Sequence, residues 1–135
     1  MKNMKGQTVS LSDYQGKVVL LDFWAVWCRP CETSLPFLEK LKAKYARHGF
    51  DVVGLHVGDR RPSLDKINEY LRDRQVHYTN LISNWDVDEA FQLSGIPTSF
   101  VVDREGTVQH THVGFDPRTT PAKIEADVRA VLGLP

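Results

Sequence analysis

Val18-Val19-Leu20-Leu21-Asp22-Phe23-Trp24-Ala25-Val26 runs directly into Trp27-Cys28-Arg29-Pro30-Cys31, and the junction of these two stretches decides the fold. The first nine residues are apolar on both alternating faces, as expected of a strand covered on both sides within a mainly parallel sheet. Asp22 is the one exception. After the cysteines, Leu35, Leu38, Leu41 and Tyr45 recur at helical spacing, and His48-Gly49 reads as a helix end with glycine in the left-handed position. Val52-Val53-Gly54-Leu55-His56-Val57 supplies a second buried strand. A helical connection between two such strands implies a right-handed βαβ crossover.

Further along, Leu64, Ile67 and Leu71 form a helical stripe, followed by a short strand within residues 77–82. Residues 62–83 are therefore read as a helix-strand segment inserted within the fold. Asp86 with Glu89 resembles a capping box, and the short helix it opens is expected to end at Ser94-Gly95, just before Pro97. Residues 98–102 and 107–113, joined by Asp103-Arg104-Glu105-Gly106, predict an antiparallel hairpin. Thr120 is the expected cap of a final helix, with Pro121 at its first position, Ile124, Val128, Val131 and Leu132 on its apolar face, and Gly133 at its end.

The 135 residues amount to about one domain, and no repeat or linker divides them. The expected architecture is α/β: one domain over residues 1–135, with a central mixed sheet of four to five strands and helices on both faces. Lys plus Arg and Asp plus Glu each number 17, so no charge excess recruits nucleic acid or an anionic membrane surface. No apolar run approaches the roughly 20 residues of a membrane span, and the opening residues lack the apolar centre of a signal peptide. Two readings stay open: a cytosolic protein, or one whose targeting or anchoring segment lies outside this sequence.

Two cysteines make neither a disulfide framework nor, alone, a four-ligand zinc site. A Cys-x-x-Cys pair where a buried strand hands over to a long helix is instead the pattern of a redox-active dithiol. Cys28 is expected at the helix N-terminus, where unpaired N–H groups and the helix dipole favour a thiolate. Cys31 follows one turn later, on the same side and more deeply buried. Pro30 fits because the first turn offers no intrahelical partner for an N–H. Lowering a thiol pKa from ~8.5 to ~7 raises the thiolate fraction at neutral pH about fifteenfold, of which lost nucleophilicity returns about fivefold. The larger benefits are a better leaving group at Cys28 and a resolving thiol held beside it. A purely structural role is poorly served, since closing a four-residue ring stabilises by roughly 2 kcal/mol against nearly 5 for a hundred-residue loop. Heme attachment would need His directly after the second cysteine, where Glu32 stands.

Weaker candidates surround the pair. His110 and His112 share one strand face and, with His56, invite a metal reading, although strand histidines are more often ordinary hydrogen-bonded residues. Trp24 and Trp85 are expected in the core, whereas Trp27 adjoins Cys28 and would frame the disulfide. Arg29 is expected to face solvent and tune partner choice.

The residues 23–31, Pro36, the run Gly95-Ile96-Pro97-Thr98-Ser99-Phe100-Val101-Val102-Asp103, and Gly16-Lys17-Val18-Val19-Leu20-Leu21 together resemble the thioredoxin superfamily. With the inserted segment, the pattern is most similar to its TlpA and ResA branch, over residues 9–132. The resemblance implies a protein thiol–disulfide oxidoreductase that needs no cofactor and no metal and exchanges disulfides through Cys28 and Cys31. It also implies a cis Ile96–Pro97 bond facing the cysteines, and a substrate strand that pairs with the backbone of Ile96 beside Trp27, Arg29 and Pro30. Asp22 matches a buried acid beneath the resolving cysteine, expected to have a raised pKa and to take or return the Cys31 proton. This sequence differs from many ResA-like proteins at Asp22, where Asn is frequent, and at Ser34, where Glu is carried.

The implied role is a monomeric reductant of protein disulfides in an extracytoplasmic space, supplied with electrons by an upstream, membrane-embedded donor, as in cytochrome c maturation. The alternatives are a general cytosolic thioredoxin, a copper-delivery module using the cysteines with a histidine, and a pure peptide-binding module.

Overall fold

The structure, a computed structural model, describes residues 1–57 and 63–135. Residue 62, where the predicted insertion begins, lies outside the described residues. The strands are β1 (Lys2–Asn3), β2 (Val18–Trp24), β3 (Phe50–His56), β4 (Thr79–Ile82), β5 (Thr98–Val102) and β6 (Val108–Val113). The α-helices are α1 (Cys31–Tyr45), α2 (Leu64–Asp73), α3 (Trp85–Ala90) and α4 (Thr120–Leu132). They build one sheet in the order β1-β4-β3-β2-β5-β6, with β2, β3 and β4 parallel and the others antiparallel to their neighbours. The sheet has one strand more than expected because two residues at the N-terminus pair with the edge of β4.

All seven residues of β2 are buried, as the doubly apolar run requires. Val18, Leu20 and Trp24 face the layer of α1, α2 and α4, where Leu35, Leu38, Ile67, Leu71, Ile124 and Val128 meet them. Val19, Leu21 and Phe23 face the other way, under Val87 and Phe91 of the α3 region and Leu11 and Tyr14 of a short 3₁₀ turn. Full burial of such side chains stabilises by about 1.5–3 kcal/mol each. The central strand therefore fixes both layers at once.

Two helix starts differ from expectation. The cap of α3 is Asn84, whose side chain accepts from Val87 N at 2.9 Å, while Asp86 lies inside the first turn. Asn84 competes for the same role with equal chemistry and stands just ahead of the helical residues. The helix ends at Ala90, well before Ser94-Gly95. In α4, Thr120 is already helical; its hydroxyl accepts from Asp116 N at 2.9 Å, which ties the preceding turn instead of capping the helix. At the far rim, Arg104 reaches from the β5–β6 turn to donate to the carbonyls of Gly16 and His48, both at 3.0 Å.

Candidate active site

The site lies at the C-terminal rim of β2. The chain turns there, with Cys28 N donating to Ala25 O at 3.1 Å, and α1 then starts at Cys31 behind Pro30. Cys28 and Cys31 are joined by a disulfide across a Cα–Cα distance of 5.4 Å. Cys28 therefore stands in front of the helix and not within it, because the turn from Ala25 takes up the residues that a longer first turn would have used. Cys31 occupies the first helical position. Cys28 retains 4% exposure and Cys31 none, so the order of burial follows expectation while the first sulfur is less open than a surface thiol.

Trp27 is 65% exposed beside the pair, and Arg29 and Pro30 are exposed as well. Ser34 is buried and donates to the Cys31 carbonyl at 3.3 Å, a contact within the helix.

The peptide bond between Ile96 and Pro97 is cis. Thr98 pairs with Phe23, so Ile96 and Pro97 sit past the end of β2, at the rim that bears the cysteines. Pro97 is buried, and Ile96 packs against the core cluster that contains Cys28 and Cys31. Among the described residues, no hydrogen bond engages the main chain of Ile96, whereas Pro97 O accepts from Gly114 N at 2.7 Å. Main-chain groups without partners beside a disulfide can take up the backbone of an added strand.

Asp22 is 1% exposed, on the same face of β2 as Leu20 and Trp24, which is the face that packs on Cys31. Its Oδ2 has no hydrogen-bond partner among the described residues. Burial pushes its carboxyl well above the usual carboxylate range, because removing the charged form from water costs more than removing the neutral acid.

The histidines do not converge. His56 lies at the end of β3, where its Nε2 accepts from Val26 N at 3.3 Å and its ring meets Trp24 edge-on. His110 and His112 are on β6, beyond β2 and β5, and share Asp127 Oδ2 at 3.5 and 2.8 Å. Among the described residues, no group of three or more His, Cys, Asp or Glu side chains is arranged to hold a metal. Trp24 is core, but Trp85 is 74% exposed, contrary to its expected burial.

Sequence reasoning passed over Gly54 and Asn80. Asn80 Oδ1 accepts from Trp24 Nε1 at 2.8 Å, and a Cβ on Gly54 would come within 1.9 Å of that same oxygen. A lone glycine inside an apolar strand is the signal that points to such a close approach.

Residues 1–132 match the Redoxin family. The thiol-disulfide oxidoreductase ResA of Geobacillus kaustophilus is 32% identical over 115 residues, 84% of this chain and 64% of that protein. The thioredoxin-like protein YneN of Bacillus subtilis is 32% identical over 114 residues, 84% of this chain and 66% of its own length. The chain thus spans just under two thirds of the length of these curated relatives. Among solved structures, a Chlorobium tepidum protein provisionally assigned as the thiol:disulfide interchange protein DsbE superposes with a TM-score of 0.89 at 34% identity. That match covers 98% of this chain and 92% of the other.

Proposed function

The chain belongs to the redoxin family, and from that premise we propose that it is a thiol–disulfide oxidoreductase acting on protein disulfides through Cys28 and Cys31. The observation that carries the reading is the disulfide itself, set at the exposed rim of the central strand with its second sulfur at the first position of a 15-residue helix.

In the reducing direction, the Cys28 thiolate attacks one sulfur of a substrate disulfide, and the other substrate sulfur leaves as a thiolate that takes a proton. The Cys31 thiol then gives its proton to the Asp22 carboxylate. The resulting thiolate attacks the Cys28 sulfur, closing the Cys28–Cys31 bond and breaking the bond to the second substrate sulfur, which leaves as a thiolate and takes a proton from water. Two electrons and two protons pass to the substrate side overall, and every step runs backwards for an oxidant. Ile96 supplies the backbone edge for an extended substrate, with Pro97 fixing its approach and Trp27, Arg29 and Pro30 forming the flanking surface.

The resemblance in sequence supports an extracytoplasmic setting, a membrane-embedded electron donor upstream and the disulfides of cytochrome c maturation as a destination. No helix among the described residues is long and apolar enough to cross a membrane.

The test is a redox titration of the pair combined with turnover on a protein disulfide such as insulin. Reduced protein should reduce it, Cys28→Ser should abolish turnover, and Cys31→Ser should accumulate a covalent mixed disulfide through Cys28. Full activity in Cys28→Ser would reject the assignment.

A further inference from the structure

Strand β2 ends its pairing with β3 at Trp24, which lies level with His56, and its pairing with β5 one residue earlier. The chain then carries Cys28 four residues beyond the last paired position. Cys28 N donates to Ala25 O at 3.1 Å, which closes the turn on itself. Val26 N donates to Nε2 of the His56 ring at 3.3 Å. This second bond ties the turn to the sheet, because His56 is the last residue of β3 and its ring reaches past the end of β2.

The ring that makes this bond is itself held. His56 is 2% exposed, and the peptide that joins it to Val57 is bonded on both sides: its carbonyl accepts from Ser83 N at 3.0 Å, and its N–H donates to Trp24 O at 2.9 Å. The imidazole meets the Trp24 indole edge-on, with centroids 5.0 Å apart and planes at 89°. Trp24 in turn donates from Nε1 to Asn80 Oδ1 at 2.8 Å and stacks on Tyr70 at 5.5 Å. A ring nitrogen that accepts an N–H carries no proton, so Nε2 is the bare nitrogen and the neutral ring keeps its proton on Nδ1. The lone pair that a metal would need is taken by Val26.

We propose that His56 is a positioning residue for disulfide exchange: by accepting the Val26 N–H, its Nε2 pins the turn 25–28 to β3 and holds the Cys28 sulfur within reach of Cys31 when the pair is reduced. The inference rests on the exchange chemistry proposed above and concerns its second half, in which Cys31 attacks the Cys28 sulfur. Cys31 rides on a 15-residue helix packed on the sheet, so the core sets its place. Cys28 precedes that helix, and the turn sets its place. The Val26–His56 bond and the disulfide restrict the same turn, so forming either lowers the entropy cost of forming the other. A turn released from His56 samples wider sulfur separations, which lowers the effective concentration of one thiol at the other. Ring closure slows and the dithiol gains.

The test measures the equilibrium of the Cys28–Cys31 pair with glutathione at pH 7, which needs no protein substrate. His56→Phe keeps a ring against Trp24 but has no acceptor. It should shift the equilibrium about fivefold toward the dithiol, the net worth of one neutral hydrogen bond. Stopped-flow closure of the pair from a Cys28–glutathione mixed disulfide should slow by a similar factor. His56→Gln offers a side-chain oxygen in place of Nε2 and should recover most of the loss, a result that a space-filling role does not produce. His110→Phe, on β6, should leave both readings at their wild-type values. Nitrogen-15 NMR of the wild-type chain should show an unprotonated Nε2 coupled to the Val26 amide.

An unshifted equilibrium in His56→Phe, or equal shifts in His56→Phe and His56→Gln, would overturn the proposal, and so would a protonated Nε2 in the neutral wild-type ring. Should His56→Phe fail to fold, His56→Leu carries the same comparison. A wild-type chain that equilibrates with glutathione yet reduces no protein disulfide would instead sink the proposed function and leave the His56 result standing.

Discussion

Asp22 is the only polar side chain on a strand buried along its whole length, and nothing among the described residues bonds its Oδ2. In the exchange reaction proposed above, a carboxyl kept there takes the Cys31 proton. Replacing it with Asn preserves shape and removes the titrating group, so Asp22→Asn should slow resolution of the mixed disulfide by about 100-fold, the low end of what a positioned acid or base contributes. Stopped-flow rates between pH 6 and 9 check this, and a profile identical to wild type would reject the role. The two cysteines and Asp22 were legible in the sequence because each breaks a local pattern. Asn80 was not, since nothing near it in the chain shows that the β3–β4 register sets it beside Gly54.

Strand β3 shows how an element carries a constraint that composition conceals. Gly54 looks like a weak point in an apolar run, yet its missing side chain admits the Asn80 amide to the Trp24 indole. Adding one methyl at Gly54 must displace Asn80 Oδ1, which would lie 1.9 Å away. Gly54→Ala should therefore cost about 1–3 kcal/mol, and a thermal melt should show a drop of several degrees together with altered Trp24 fluorescence. The same close view explains the misread helix starts. Capping residues cluster at Asn84 and Asp86, and again at Thr119 and Thr120, and only the tertiary path of the chain selects among neighbours with equivalent chemistry. The long elements were legible from periodicity, while a two-residue edge strand such as β1 carries no periodic signal at all.

For the molecule as a whole, Asp22 sets a pH dependence of stability opposite to that of an ion-paired carboxylate. Its folded-state pKa lies above the ordinary 3.8, so between those two values the folded chain binds more protons than the unfolded one. Stability must then fall as pH rises through that interval, by about 1.4 kcal/mol per unit, and level off above the folded-state pKa. Glu125, lowered chiefly by its hydrogen bond from Lys44, acts in the contrary sense at lower pH, and the difference between wild type and variant isolates Asp22. Asp22→Asn should be the more stable protein at neutral pH, and the gap should close toward pH 4 in urea denaturation of the oxidised form. A constant gap across that range would show that the carboxyl is not held neutral by burial.

The first strand carries a practical corollary. Lys2 is level with Ile82, Ile82 with His56 and His56 with Trp24, so the amino terminus emerges on the rim that bears the sulfurs, three strands or about 14 Å to one side. A leash fused ahead of Met1 would leave from that rim. Whatever held the other end, a bead or a bilayer, would have the reactive edge turned toward it, and shortening the leash would throttle access by bulky clients before it hindered small ones.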